Sequence, residues 1–223
     1  RLVFSSGSAV SGNTGALFVG SGVATGGRAG MVSISVGSGT SGSGGAVSVL
    51  SGRSTVNSGG SLSLESGEGT ATSSGVISIR SANAGTIGVS GRLVFSSGSA
   101  SSGNSGAVYL GSGVSTGGRS GIVSISVGSG TSGSGGALSV LSGRSTVNTG
   151  GLLSVQSGEG TATTSGSIVI RSANAGTSGT SGMLVFSTGT SSAGNSGGLI
   201  IGSGAATGGR GGMVTISAGS GTS

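Results

Sequence analysis

Nine arginines, three glutamates and Tyr109 are the only side chains in this 223-residue chain that titrate in water. The best case for chemistry is Glu65 and Glu68. Two carboxylates three residues apart are the minimum for a general acid and a general base. A near-copy of that stretch lies 91 residues further on, with Glu159 matching Glu68 but Gln156 standing where Glu65 stood. A pair that loses one member in its own duplicate reads as surface charge rather than as a catalytic dyad. His and Cys are absent, so there is no Ser-His or Cys-His nucleophile and no imidazole or thiolate metal site. Without Asp the calcium-binding glycine-rich repeat cannot be written, and without Lys there is neither a Schiff base nor a phosphate-loop lysine. The composition predicts a protein that is not an enzyme, with no cofactor and no metal.

The elements that carry these residues are repeats. Glycine is 56 of 223 residues, about one in four, against a usual share of about 7%. Gly and Ser at this level usually mean a flexible linker. Here charge is only 5%, and the apolar residues are ordered rather than scattered. The stretch from Arg1 to Gly7 returns from Arg92 to Gly98, and again from Met183 to Gly189. The super-repeats are 1–91 and 92–182, with 18 differences between them, followed by a partial copy at 183–223. The truncated third copy predicts a segment of a longer chain.

Each super-repeat holds six rungs, five of 15 residues and one of 16. They start at residues 1, 16, 31, 46, 61 and 76 in the first copy, and 91 residues later in the second. Rung position 2 is aliphatic throughout, as in Leu2, Leu17 and Val32, and position 4 is apolar, as in Phe4, Val19 and Ile34. This alternation fits a strand with one buried face. Gly at position 7, with Ala82 and Ala173 as exceptions, fits a turn that needs φ > 0. The expected fold is all-β: a parallel β-solenoid over 1–223 as one continuous domain, with rungs stacked about 4.8 Å apart and each super-repeat rising about 29 Å. Small residues at position 9 would form the inner layer of a second face.

Stacking would align the outward positions into columns. Position 8 brings together Arg53, Glu68 and Asn83, then Arg144, Glu159 and Asn174, while position 5 sets Glu65 against Arg80. Such charge ladders would pin the register, each pair being worth well under about 1 kcal/mol. Position 3 should face solvent and is Ser in the middle rungs. Yet it is Val3 and Phe18, Val94 and Tyr109, and Val185 and Ile200 in the first two rungs of each copy. Recurrent outward apolar patches mark an interface, here a lateral one between copies. Position 10 gives Thr25, Thr40, Thr55, Thr70, Thr116, Thr131, Thr146, Thr161 and Thr207. Thr86 and Thr177 join this column if the extra residue of the 16-residue rungs precedes them. Such a hydroxyl ladder suits strand stacking, O-linked sugars or ice.

No apolar run approaches membrane-spanning length. The net charge of +6 is a sparse field rather than a basic patch. The Gly-Gly-Arg segments at 26–28, 117–119 and 208–210 have almost no aromatic neighbours for base stacking, so no nucleic acid is expected.

The phrases Val-Gly-Ser-Gly-Thr-Ser-Gly-Ser-Gly-Gly (36–45 and 127–136), Ser-Gly-Glu-Gly-Thr-Ala-Thr (66–72 and 157–163) and Ser-Ala-Asn-Ala-Gly-Thr (81–86 and 172–177) resemble the Gly/Ser-rich tandem repeats of secreted proteins of diatoms and other stramenopile algae. The resemblance covers the whole chain. It implies an extracellular, cell-surface or flagellar-hair (mastigoneme) role. The function expected is a structural subunit of an extracellular filament or surface fibre, stacking its rungs axially and associating laterally with copies of itself. Surface polysaccharide or O-linked glycans are further expected partners. The alternative is an ice-binding solenoid that uses the threonine column.

Overall fold

Glycine and serine crowd the second half of every rung, and the chain turns there. In the computed structural model, which describes residues 2–221, the backbone bends at 10–12, 25–27, 40–42, 55–57, 70–72 and 86–88. It bends again at 101–103, 116–118, 131–133, 146–148, 161–163, 177–179, 192–194 and 207–209. These are positions 10–12 of successive rungs. In the two 16-residue rungs the bend opens at Thr86 and Thr177, one residue late, so the extra residue does precede the threonine. Gly12 and Gly103, with φ of 93° and 112°, close corresponding bends in a conformation that costs glycine little.

Beyond the bend the chain returns to where it left. In the rungs starting at 46, 61, 137 and 152, the position-15 amide donates to the position-7 carbonyl. These bonds are Gly60 N to Gly52 O (2.8 Å), Gly75 N to Gly67 O (2.9 Å), Gly151 N to Gly143 O (2.8 Å) and Gly166 N to Gly158 O (2.9 Å). In the rung starting at 16 the closure is made by a side chain, the Ser21 hydroxyl donating to the Gly30 carbonyl at 2.9 Å. Each complete rung thus has two parts. Positions 1–5 form an extended connector that carries the apolar residues. Positions 6–15 form a closed loop rich in Gly and Ser, with a few exposed apolar residues such as Val10, Val56 and Ile87.

Two corrections to the sequence expectation follow. Among the described residues there is neither helix nor strand, so the chain is not an all-β fold and not a parallel β-solenoid. The backbone hydrogen bonds among the described residues lie within single rungs, four of them closing a loop on itself, rather than bonding one rung to the next. The physical reason lies in the composition. Two apolar residues per connector offer little burial against the ordering cost of a backbone that is one-quarter glycine. A loop eight residues around closes locally, without waiting for a neighbouring rung. The second correction concerns the position-7 glycine: Gly7 has the expected positive φ, at 85°, but the other described position-7 glycines do not, and none of them lies in a bend. The bend lies three residues later, and position 7 is the point where the two arms meet.

By its internal contacts the chain divides into two units, Arg1–Leu110 and Gly111–Ser223. The loop-and-connector pattern runs through both. No hydrophobic side chain among the described residues is buried. The chain exposes 21,950 Å², where a compactly folded chain of 20.1 kDa would expose roughly 8,700 Å².

Candidate interaction surface

The loops are shaped by what their glycines and serines exclude. A methyl group built on the closing glycine meets position 6 of the same rung: 3.2 Å from the Ser66 Cβ at Gly75, 3.3 Å from the Ser157 Cβ at Gly166, and 3.6 Å from the Ser97 Cβ at Gly106. Position 9 points into its own loop. A Cβ at Gly39 or Gly130 would lie 3.0 Å from the Gly42 or Gly133 carbonyl oxygen, and one at Gly69 would collide with the Ser73 carbonyl. At three of the four position-9 serines the hydroxyl accepts from the bend, Ser115 being the exception. Ser54 Oγ takes the Asn57 amide at 2.9 Å and the Val56 amide at 3.4 Å. Ser145 Oγ takes the Asn148 and Val147 amides at the same distances. Ser191 Oγ takes the Gly194 amide at 3.0 Å. These are serine caps that satisfy amides a turn would otherwise leave open.

The closing contact between the end-of-rung glycine and the position-6 serine had no role assigned from the sequence, and position 9, expected as the inner layer of a second face, instead lines or caps its own loop. The signal for the contact was the regularity of Ser at position 6 beside Gly at the end of the rung. The deepest shelter in the described chain is theirs. Ser66, Gly69 and Ser81, and their counterparts Ser157, Gly160 and Ser172, are half-buried while other described residues are exposed.

The connectors are different. Phe18, Tyr109 and Ile200, one per repeat copy, are 92–93% exposed, and Val3, Val94 and Val185 are 60–62% exposed. Position 2 is the more sheltered column, falling to 46% at Leu184. Position 1, occupied by Met31, Ile122, Met183 and Met213, is nearly bare. In the first unit two successive connectors converge on an apolar hollow of about 310 Å³, lined by Phe95, Val108, Tyr109 and Leu110. Tyr109 is thus both a fully presented ring and the rim of a hollow.

The charged columns sit at the loop mouths. Glu65 and Arg80 end their connectors, and Arg53, Glu68, Arg144 and Glu159 follow the position-7 glycine. The side-chain hydrogen bonds among the described residues run through serine hydroxyls, and the charged columns take no part in them. The threonines Thr25, Thr40, Thr55, Thr70, Thr116, Thr131, Thr146, Thr161 and Thr207 each open a bend. They lie on curved backbone rather than along a strand. Among the described residues no group of His, Cys, Asp or Glu could hold a metal ion.

No family model, no curated protein and no solved structure matches this chain.

The surface therefore rests on its own geometry: closed polar loops alternating with presented apolar connectors. No helix of the described residues is long and apolar enough to cross a membrane.

Proposed function

We propose that the chain is a non-enzymatic structural subunit of an extracellular filament or cell-surface fibre, assembled by copies of itself that cover one another's apolar connectors. The observation that carries this reading is the exposure of every large aliphatic and aromatic side chain among the described residues, repeated at rung spacing. Apolar area presented on this scale is favourable to remove from water. A second copy offers the same spacing, so connectors can match over many rungs at once. Such multivalency strengthens association without any single strong contact. The secreted Gly/Ser-rich repeats that the sequence resembles support the extracellular setting. The absence of Cys means that cohesion rests on packing and not on cross-links.

Ice binding draws less support from the geometry, because threonines one per rung on curved backbone make a poor flat hydroxyl array. The exposed bend threonines are better placed to carry O-linked sugars. The test is assembly of the purified chain, followed by sedimentation and negative-stain microscopy with and without Phe18→Ser, Tyr109→Ser and Ile200→Ser together. Fibres or large oligomers that dissolve in the triple variant are expected. A wild-type chain that stays monomeric at high concentration, or thermal hysteresis at micromolar protein, would sink the proposal.

A further inference from the structure

The sixth rung of each copy departs from the others in three ways. It has 16 residues, it carries Ala82 or Ala173 where other rungs have Gly, and it places Asn83 or Asn174 next to that alanine. The segment Arg-Ser-Ala-Asn-Ala-Gly is identical at 80–85 and 171–176. In an array of near-uniform units, the unit that breaks the rule is where a binding feature is sought.

In the second unit this segment borders an open polar hollow of about 230 Å³, lined by Arg171, Ser172, Ala173 and Asn174. Its floor is held. Ser172 is half-buried, and a Cβ built on Gly182 would lie 3.3 Å from the Ser172 Cβ, so the loop shuts tightly beneath it. The same loop contains a second tight turn, with the Gly179 amide 3.5 Å from the Gly176 carbonyl. The lining chemistry is rich in donors: a guanidinium fork with five N–H groups, an amide NH₂ and a hydroxyl. A guanidinium stays charged at any physiological pH and matches the two oxygens of a carboxylate or sulfate. The hollow has room for several waters at about 30 Å³ each, which is the size of one anionic group and part of the sugar ring that bears it.

We propose that the Arg-Ser-Ala-Asn segment at 171–174 is a binding site for the carboxylate or sulfate groups of an acidic polysaccharide, with the identical segment at 80–83 as its counterpart in the first copy. The copies are not equal. Residues 61–91 carry Glu65, Glu68 and Arg80, a balance of −1, whereas 152–182 carry Glu159 and Arg171, a balance of zero. Replacement of Glu65 by Gln156 removes a like charge that would repel the ligand, so the second site is the stronger. The arginine supplies the charge and the paired hydrogen bonds, while Asn174 and Ser172 orient the group.

The experiment measures binding of the full chain to dextran sulfate and to alginate, with neutral dextran and inorganic sulfate as comparison ligands at matched ionic strength. Arg171→Gln is set against Arg144→Gln, which removes the same charge from the mouth of a different loop. Retention of either acidic polymer but not dextran, weakened about tenfold by Arg171→Gln and less than threefold by Arg144→Gln, is the expected result. Asn174→Ala should weaken binding in the same direction while leaving the charge unchanged. Equal losses from the two arginine variants would reduce the binding to net charge and overturn the site. So would no binding of either acidic polymer, or inorganic sulfate bound as tightly as the polymer.

Discussion

The closed loops and the connectors are built from the same chain on the same 15-residue grid, yet they solve opposite problems. A loop satisfies itself. In four loops the closing amide finds a carbonyl within the rung, in three a bend amide finds a serine hydroxyl, and the closing glycines let the arms approach to contact. A connector satisfies nothing alone, because its apolar side chains remain open to water. Local order thus comes from the polar half of each rung, and the drive to associate comes from the apolar half. Substitutions in the two halves should accordingly fail in different experiments.

The largest effect is expected in the connectors. Removing Phe18, Tyr109 and Ile200 together deletes about 1.5–3 kcal/mol of potential burial per side chain, and every copy carries the loss. The triple serine variant should lower the assembled fraction by orders of magnitude, as read by sedimentation. Hydrogen exchange at the Gly60, Gly75, Gly151 and Gly166 amides should stay as in the parent. If those amides also lose protection, loops and connectors are coupled and the division fails.

Next come the loop glycines. Gly69→Ala places a methyl against the Ser73 carbonyl, and Gly160→Ala places one 2.5 Å from the Thr164 oxygen. Each should open its loop at a cost of about 1–3 kcal/mol. The signature is faster exchange of the Gly75 or Gly166 amide with no loss of assembly at neighbouring connectors. Gly67→Ala, where an added Cβ meets nothing within 4 Å, is the matched control and should be tolerated.

The serine caps should matter less. Ser54→Ala and Ser145→Ala each remove an acceptor that takes a bend amide at 2.9 Å. The expected cost is about 1 kcal/mol, the usual value for one net hydrogen bond. NMR chemical shifts should change at 55–57 or 146–148 and fade beyond the rung. A change that spreads through several rungs would mean that loops do not close independently.

How far the sequence could be read follows from the same division. The 15-residue spacing was legible from the repeats, but the place of the bend was not: the threonines that open it read as a strand ladder, and whether Thr86 and Thr177 belonged to their column depended on where the extra residue fell. The apolar columns were legible as a periodicity, since Leu2, Leu17 and Val32 repeat without exception. Their burial was not. Alternation over five residues records which side chains share a face, but says nothing of what covers that face. The strand pairing inferred from it needed a partner rung, and the backbone found a nearer partner inside its own loop. The position-7 glycine misled for a related reason. At Gly52 and Gly67 an added Cβ would meet nothing within 4 Å, and what the residue does there is accept the closing amide through its carbonyl.

The smallest effect is expected at Glu65, and it is informative because the chain already contains the comparison. The loop following Glu65 closes with Gly75 N to Gly67 O at 2.9 Å, and the loop following Gln156 closes with Gly166 N to Gly158 O at the same distance. Ser66 and Ser157 are equally half-buried. The carboxylate is therefore not what shapes the loop. Glu65→Gln should change loop stability by less than about 0.5 kcal/mol, the range for exposed charges, and leave the exchange of the Gly75 amide where it was. What it should change is the field at Arg80, by removing the carboxylate at the end of the preceding connector. Binding of an acidic polymer at 80–83 should then rise toward that at 171–174, by about two- to threefold in low salt, with the gain fading as salt screens it. An unchanged loop with unchanged binding would confine the role of Glu65 to surface charge. A destabilised loop would show that identical closure in the two copies hides different supports.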